Sequence, residues 1–288
     1  MPGWGILLCT VGQSAHAGIP GSSRPATLVA ALARSSVRTV SESIDDGPRR
    51  RGIDLPNMRV GYGGGIPPNV GEGDRAAGAD GVRENLDPSW LRGDPPWLDL
   101  FEVWLHEALD ARLPEPNAMV LGTVDAHGLP ATRTVLCKGA DAAGIVFFTG
   151  YDSDKGQDLA ANPVASVTFP WIALERQVHF RGAVVRVGPE ETQDYWYKRP
   201  RGSQLSALAS EQSRPIGSRA DLEAKAADVA ARCGGIDGDT PVPVPAQWGG
   251  YRLAPARIEF WQGRANRLHN RIRLTMVDGV WKVQRLQP

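Results

Sequence analysis

The sequence predicts an α+β protein whose structure is mainly antiparallel β. From residue 118 onward, short runs with alternating apolar and polar residues recur, separated by turns rich in Gly, Asn, Asp and Pro. These runs are short, close together and mostly joined by turns, which argues against a parallel sheet of βαβ units. No glycine-rich phosphate loop follows a predicted strand, which argues against Rossmann and P-loop sites. The pattern favours an antiparallel barrel or sandwich with flanking helices.

Composition narrows the classes of partner. The chain has 288 residues, 42% of them apolar, with 32 basic and 32 acidic side chains. Zero net charge argues against general binding to nucleic acid or anionic membranes, so local cationic clusters suit a small anion better. Cys9, Cys137 and Cys233 form no metal or CxxC spacing, and we expect free thiols in a cytoplasmic protein. No apolar run approaches the ~20 residues that span a bilayer.

The N-terminal third differs from the rest of the chain. Residues 1–57 are dominated by Gly, Ser, Pro and Ala and are almost without aromatic residues. Such a segment cannot bury enough apolar surface to offset its ordering entropy. We predict a disordered extension at 1–57, a flexible arm at 58–94, and a folded domain at 95–288 whose last strands occupy 247–288.

Within the folded domain the elements follow from periodicity and capping. Asp94 suits the N-cap of an amphipathic helix that ends near Arg112. Ser218 suits the N-cap of a later helix. The predicted helices are 95–112, 153–161, one opening at 189, 204–210 and 219–232. The predicted strands are 118–124, 131–138, 145–149, 164–170, 177–187, 250–253, 258–262, 267–276 and 280–286.

The last long strand carries an unusual row of charge. Side chains alternate along a strand, so one face of 267–274 would carry only cations and a histidine. That face holds Arg267, His269, Arg271 and Arg273, and the opposite face holds Leu268, Ile272 and Leu274. One interpretation is a solvated edge strand whose charges discourage aggregation. The other is a surface for a flat anionic ligand, which the nearby Trp261 and Trp281 favour.

Two further groups of residues suit anion recognition. Arg133 and Lys138 bracket a strand, although their opposite parity keeps them apart unless the strand bends. Tyr195 and Arg199 share a helix face at i and i+4, and Ser203 follows a Pro-Arg-Gly turn. Arginine forks, hydroxyls and lysines are ligands that suit a phosphate dianion. Surface cations and a helix-end arginine remain the simpler alternatives.

Other polar side chains have simpler interpretations than the groups that suit anion recognition. Gln212 and Ser213 could bond the edge of a heteroaromatic ring, although singly they mean little. His179 shares the polar face of its strand with neighbours and is most simply a satisfied or exposed histidine. The five histidines show no metal-ligand spacing, and we expect no metal.

Five motifs occur in an order typical of a known family. They are RTVLCK at 133–138, FPWIALERQV at 169–178, YWYKRPRGSQ at 195–204, SEQSRPIGSR at 210–219 and EFWQGRANRLHNR at 259–271. From about Pro95 to Pro288 the chain closely resembles the pyridoxamine/pyridoxine 5′-phosphate oxidases, with a weaker likeness at 58–62. The resemblance implies an FMN-binding split β-barrel with Greek-key-like order. It also implies a homodimer with each flavin at the subunit interface and with 247–288 serving dimerisation.

The resemblance also assigns residues by position. For FMN these are Arg133, Thr134, Val135, Leu136, Cys137, Lys138, Phe148, Thr149, Lys155, Gln177, Gln212, Ser213, Trp261 and Arg271. For the substrate they are Arg59, Tyr62, Lys138, Tyr195, Arg199, Ser203, Arg267, Leu268 and His269, with Arg267 and His269 as the catalytic pair. One departure is Asp154, which stands where the family often has a cation and is expected to weaken a contact to the cofactor phosphate.

The implied activity is that of a pyridoxal 5′-phosphate synthase. Such an enzyme oxidises pyridoxamine or pyridoxine 5′-phosphate with O₂ and releases H₂O₂. Two alternatives stay open on the sequence. One is a related flavin oxidase of a tricyclic, phenazine-type metabolite, against which the phosphate-binding residues argue. The other is a non-catalytic carrier of flavin or pyridoxal phosphate, toward which only Asp154 points.

Overall fold

A computed structural model describes residues 85–288, which belong to a compact unit spanning Arg59–Pro288. The predicted extension and most of the arm, including Arg59 and Tyr62, lie outside the described residues. The described part contains five α-helices and nine strands, with short 3₁₀ turns at Pro88–Trp90, Ile172–Leu174 and Ala265–Arg267. Within residues 85–288, none of the helices has the length and hydrophobicity that a transmembrane segment requires.

The elements follow one another as the periodicity predicts. The helices are α1 (Leu98–Asp110), α2 (Asp154–Ala161), α3 (Pro189–Lys198), α4 (Arg201–Ala209) and α5 (Arg219–Arg232). The strands are β1 (Ala118–Val124), β2 (Pro130–Leu136), β3 (Gly139–Asp141), β4 (Gly144–Gly150), β5 (Val164–Trp171), β6 (Arg176–Arg186), β7 (Trp248–Gln262), β8 (Asn270–Val277) and β9 (Val280–Leu286). Strand β3 was not predicted, because three residues are too few to show a period.

All strands join one antiparallel sheet in the order β2-β1-β5-β6-β7-β4-β3, with β8 and β9 branching from β7. The predicted pair of strands at 250–253 and 258–262 is a single strand, β7, which pairs with β4 at one end and β8 at the other. The register of β7 against β6 shifts beside Pro255. The bulge at this point accommodates a proline, which has no N–H to donate to the ladder of hydrogen bonds. A glycine is required at position 182, which lies opposite Pro255, because a Cβ there would lie 1.8 Å from the Ala254 carbonyl oxygen. The antiparallel, barrel-like prediction is confirmed.

Helix α1 packs its aromatic stripe on the curled sheet. The Phe101 ring lies 5.0 Å from Phe169 and 5.3 Å from Phe180, and Trp104 lies 5.3 Å from Phe260. These edge-to-face contacts join the helix to β5, β6 and β7. The helix begins at Leu98, so the prediction of Asp94 as its N-cap is wrong. Pro96 disfavours helical geometry at the preceding residue, which delays the start of the helix.

A smaller apolar cluster joins α3, α4 and α5 to the start of β7. Its buried members are Trp196, Leu205, Ala209, Val229, Val242 and Trp248. Helix α4 starts at Arg201, so Ser203 lies in its first turn and not in a turn before it. Arg199 was predicted on the helix face of Tyr195, but it is the extended C-cap of α3, with ψ 144°. Pro200 explains the difference, since it excludes the α conformation from the residue before it.

The cationic strand predicted at 267–276 is shorter than expected. Strand β8 begins at Asn270, and Ala265–Arg267 forms a 3₁₀ turn with φ of 61° at Arg267. Arg267 and His269 therefore do not share a strand face with Arg271, and Leu268 is 70% exposed instead of facing the core. The ladder stops at the Gln262–Asn270 pair. Gly263 N donates to the Glu175 carbonyl, which continues the pairing with the β6 side by one residue while β8 is no longer paired.

Candidate active site

A cleft of about 850 Å³ opens between β2, β4, the start of α2 and the α3–α4 junction. Its volume suits a cofactor together with a small substrate. Thirteen of the predicted site residues line it: Arg133, Thr134, Val135, Leu136, Lys138, Phe148, Thr149, Lys155, Tyr195, Arg199, Ser203, Gln212 and Ser213. Thr132, Asp154 and Pro200 complete the wall. Segments far apart in the chain thus meet around one space.

The end of β2 brings Arg133 and Lys138 to the same cleft. Their opposite parity predicted separation, but β2 ends at Leu136 and the chain turns before Lys138. Cys137 lies beneath the cleft and does not line it. Its thiol donates to the Gly139 carbonyl at 3.3 Å, and burial raises the pKa of Cys137 to about 11. A thiol of that pKa is an inert packing group.

One end of the cleft concentrates positive charge. The buried Lys155 ammonium donates to Thr149 Oγ1 and Ser153 Oγ, both at 3.1 Å. Burial, followed by repulsion from Arg133, lowers the pKa of Lys155 to about 8. Ser153 also caps α2 by accepting from Gly156 N at 3.4 Å. Two cations surrounded by hydroxyls form a site that suits a phosphate group.

A buried acid supports this cationic end from behind. Asp158 Oδ2 lies 3.4 Å from Arg133 Nη2 and accepts from the Thr123 hydroxyl at 2.5 Å. The Thr123 hydroxyl in turn accepts from Arg133. Neither Thr123 nor Asp158 was predicted from the sequence as a site residue. The available signal was the i+3 spacing of Asp158 from Lys155, which places both on one face of α2.

Asp154 stands at the first position of α2 and also lines the cleft. Its carboxylate pairs with Arg214 at 3.0 Å, and both side chains are exposed. Arg214 Nη2 also donates to the Asp152 carbonyl at 2.9 Å. The carboxylate expected to oppose an anion is thus offset by an arginine that follows Ser213.

Gln212 attaches the segment after α4 to β4. Its Oε1 accepts from Thr149 Oγ1 at 2.9 Å and from Gly150 N at 3.1 Å. Since the amide oxygen serves these bonds, Nε2 is the group that Gln212 can offer to a ligand. Ser213 follows with φ of 70°, which turns the chain at the wall of the cleft.

The opposite end of the cleft combines aromatic surface with a second cation. Phe148 stacks on Tyr195 with ring centroids 4.0 Å apart. The Arg199 guanidinium carbon lies 4.7 Å from the Trp248 ring, and Nη2 donates to the Ser203 carbonyl at 2.9 Å. Burial lowers the pKa of Arg199 from its usual value. Ser203 lies in the first turn of α4, whose N-terminal dipole also favours an anion.

The remaining predicted residues form a second cluster, outside the lining of this cleft. Its members are Gln177, Trp261, Arg267, Leu268, His269 and Arg271. Gln177, Trp261 and Arg271 are register partners across β6, β7 and β8. The His269 ring lies 4.7 Å from the Trp261 ring. The predicted site is therefore divided into two sets of residues within the described chain.

Part of the predicted cationic row has a counter-ion within the chain. Glu259 accepts from Arg271 Nε at 2.7 Å and from Arg273 Nη2 at 3.0 Å, so one carboxylate serves two arginines. His269 Nδ1 accepts from Arg264 N at 3.1 Å. Partial burial, and then the charge of Arg267, lower the pKa of His269. The lowered pKa favours the neutral imidazole, and the bond to Nδ1 places the proton of that form on Nε2.

No group of three or more His, Cys, Asp or Glu within residues 85–288 is placed to hold a metal ion. The curled antiparallel sheet with five helices instead matches solved split barrels. A pyridoxamine 5′-phosphate oxidase-related, FMN binding protein from Nostoc punctiforme PCC 73102 matches with TM-score 0.54 at 17% identity, over 67% of this chain and 98% of that one. PhzG from Burkholderia lata 383, solved with tetrahydrophenazine-1-carboxylic acid, matches with TM-score 0.65 at 30% identity, over 72% and 100%. The protein is thus a split barrel of the class that includes FMN-binding proteins.

Sequence relatives give a finer assignment. Residues 105–233 match the family described as pyridoxamine 5′-phosphate oxidase, and 248–288 match the pyridoxine 5′-phosphate oxidase C-terminal dimerisation region. A pyridoxine/pyridoxamine 5′-phosphate oxidase of Rhodococcus jostii (strain RHA1) is 54% identical over 82% of this chain and 99% of its own. One of Mycolicibacterium gilvum (strain PYR-GCK) is 55% identical over 81% and 97%. The chain belongs to the pyridoxine/pyridoxamine 5′-phosphate oxidase family, which confirms the resemblance.

Proposed function

We propose that the protein is an FMN-dependent oxidase that makes pyridoxal 5′-phosphate. Pyridoxine 5′-phosphate and O₂ would give pyridoxal 5′-phosphate and H₂O₂. Pyridoxamine 5′-phosphate, O₂ and water would give the same products and ammonia. The observation that carries the proposal is one cleft with a cationic pair, Arg133 and Lys155, beside α2 and a further cation, Arg199, beside α4, while Lys138 also lines the wall. A phosphorylated cofactor and a phosphorylated substrate supply two phosphates to match.

The end beside α2 fits the cofactor. Arg133 and Lys155 would hold the FMN phosphate by charge-assisted hydrogen bonds, each contributing roughly 1.5–3 kcal/mol. The two hydrogen bonds that Gln212 Oε1 accepts fix the orientation of the side-chain amide. Its Nε2 would then donate to the edge of the flavin ring. Bound FMN supplies the two-electron redox chemistry, and O₂ restores its oxidised form. The protein contributes binding and orientation.

The end beside α4 fits the substrate. Arg199, Lys138, Tyr195 and Ser203 would hold the substrate phosphate at the N-terminus of α4. Fixing this remote phosphate orients the carbon to be oxidised against the flavin, which converts binding energy into positioning. The family resemblance would also assign Arg59 and Tyr62 to the substrate, and both lie outside the described residues.

The second cluster supports a homodimer with composite sites. None of its six residues lines the cleft in the described chain, and most belong to the region matched as the dimerisation region. In a symmetric dimer, a second copy would bring its Gln177, Trp261 and Arg271 to the flavin. Its Arg267, Leu268 and His269 would meet the pyridine ring. The neutral His269 would assist proton transfer through Nε2. The buried Cys137 thiol supports a reducing, cytoplasmic setting.

Anaerobic mixing separates an enzyme from a carrier. Protein loaded with FMN would be mixed with pyridoxamine 5′-phosphate without oxygen, and the absorbance of the oxidised flavin followed. An oxidase bleaches its flavin and yields one pyridoxal 5′-phosphate per flavin. A carrier keeps its yellow colour and releases no aldehyde, and that result would refute the proposed function.

Similarity to PhzG keeps a tricyclic substrate as the second candidate function. That structure is 30% identical to this chain and contains tetrahydrophenazine-1-carboxylic acid. The phosphate-binding arrangement of Arg199, Lys138 and Ser203 favours the phosphorylated pyridine instead. Comparing turnover of pyridoxamine 5′-phosphate, pyridoxamine and a dihydrophenazine carboxylate decides between them. Turnover of the phenazine alone would establish the second candidate.

A further inference from the structure

Arg199 differs from Arg133 and Arg271, two other arginines of the predicted site, in the groups that its guanidinium contacts. Arg133 pairs with Asp158, and Arg271 pairs with Glu259. For Arg199 the structure records no carboxylate partner within residues 85–288, and its Nε is buried there without a hydrogen-bond partner. A half-buried guanidinium without a counter-ion has already lost much of its hydration. Its counter-ion is therefore expected to come from a ligand.

Two indole rings hold this guanidinium. The Arg199 guanidinium carbon lies 4.7 Å from the Trp248 ring centroid and 5.6 Å from that of Trp196. Both indoles are buried, and Trp196 is fixed by a bond from Nε1 to the Val242 carbonyl at 2.9 Å. Trp248 is aligned by stacking on Phe148 at 5.5 Å. An aromatic face attracts a cation without occupying its N–H groups or neutralising its charge.

Apart from the bond of Nη2 to the Ser203 carbonyl, this arrangement leaves the donors of Arg199 for an anion. A carboxylate in the same place would orient the side chain but would compete with a phosphate group for its N–H groups. Trp248 does not line the cleft itself. It lines an adjacent cavity, and Arg199 is among the residues that line both spaces. Trp248 therefore contacts Arg199 without itself occupying the wall of the cleft.

We propose that Trp248, supported by Trp196, is a positioning residue that holds Arg199 toward the phosphate of the bound pyridine. In this role it sets the preference for phosphorylated over unphosphorylated pyridines. The inference deepens the proposed function and rests on it, because it assumes that the Arg199 end of the cleft receives a phosphorylated ligand.

The test is a ratio of dissociation constants measured by calorimetry on the FMN-loaded protein. The ligands are 4-deoxypyridoxine 5′-phosphate and 4-deoxypyridoxine, which lack the oxidisable group, so binding is measured without turnover. Trp248→Leu should lower the preference for the phosphorylated ligand roughly 3- to 30-fold, the range expected for one partly desolvated cation–π contact. Trp248→Phe should retain most of the preference. Trp171→Phe, a buried tryptophan elsewhere in the core, should leave the preference unchanged.

Two further measurements isolate the contact with Arg199. Arg199→Ala should reduce the preference at least as far, and adding Trp248→Leu to it should cause no further loss. If Trp248→Leu fails to fold, a fluorinated tryptophan placed at position 248 weakens the attraction at nearly constant shape, and the preference should fall with it.

An unchanged preference in these Trp248 variants, or an equal loss for both ligands, would overturn the inference. Additive losses in the double variant would do the same. A wild-type protein that prefers the phosphorylated ligand but does not oxidise pyridoxamine 5′-phosphate would refute the proposed function and leave the role of Trp248 standing.

Discussion

Lys155 is the cleft residue whose charge is most easily altered near neutral pH. Burial and the neighbouring Arg133 lower its pKa to about 8, so the free protein loses this charge as the pH rises through 8. A bound phosphate stabilises the ammonium and raises the pKa in the complex. Proton uptake therefore accompanies binding at pH values between these two pKa values.

FMN affinity should consequently depend on pH in one direction. It should be nearly constant between about pH 7 and pH 8, where the FMN phosphate is a dianion, and fall by about tenfold per unit above pH 8, because the neutral lysine must first be protonated. Titrating apoprotein with FMN and following the quenching of flavin fluorescence at several pH values measures this. Lys155→Met should bind FMN more weakly and with little slope. A wild-type affinity that stays flat well above pH 8 would contradict the role given to Lys155.

Arg267 offers a second test at the level of single residues. It is proposed to contact the pyridine ring and not the cofactor, so Arg267→Ala should retain bound flavin while kcat falls by about tenfold or more. Flavin content per chain and steady-state rates measure the two effects. Arg264→Ala, in the same turn, serves as a comparison. Loss of flavin in parallel with activity would assign Arg267 to the cofactor instead.

At the level of elements, the β7–β8 ladder carries a charge network that alternation alone did not predict. Glu259 of β7 is opposite Arg273 in register and accepts from both Arg271 and Arg273. The Glu259 side chain is only 14% exposed, and those of the two arginines are 28% and 30% exposed. Removing the carboxylate would leave two partly buried cations facing each other.

Glu259→Gln should therefore destabilise the protein by about 1–3 kcal/mol, the cost of leaving buried charged partners unsatisfied. Urea unfolding with a constant m-value measures the change. Glu102→Gln, an exposed acid on α1, should change stability by less than about 0.5 kcal/mol. A Glu259→Gln midpoint equal to that of wild type would show that the network contributes nothing.

Elements with strong local signals could be predicted from the sequence. Helix α5 and strand β9 have the predicted bounds, because Ser218 caps the helix and Asp278-Gly279 turns the hairpin. The turn at 263–269 could not be predicted, because alternation of charged and apolar residues continues through it. Its course depends on the Gly263–Glu175 bond, which joins segments distant in the sequence.

At the level of the whole molecule, the sequence motifs did not predict that the structure divides their residues into two sets. The motifs identified thirteen residues that line one cleft. Arg267 and His269 lie outside the lining of this cleft. Their position depends on the curl of the sheet, which no local sequence pattern encodes. The Trp248 contact with Arg199 also joins segments 49 positions apart, counting from 199 to 248.

Composite sites predict complementation between subunits. Arg199→Ala impairs the cleft and Arg267→Ala impairs the second cluster, so each variant alone should be poorly active. In mixed dimers one of the two sites would combine an intact cleft with an intact second cluster. Random exchange should then restore about a quarter of wild-type activity, since half of the dimers are mixed and each carries one good site. No recovery after co-refolding would place both sets of residues in the same subunit's site.

The most direct test of the central claim is aerobic turnover by the purified, FMN-loaded protein. We expect pyridoxamine 5′-phosphate to be converted to pyridoxal 5′-phosphate, with one O₂ consumed and one H₂O₂ formed for each aldehyde, and pyridoxamine to be a far poorer substrate. A protein that binds FMN tightly yet forms no pyridoxal 5′-phosphate in air would contradict the claim that the cleft aligns a phosphorylated pyridine with the flavin.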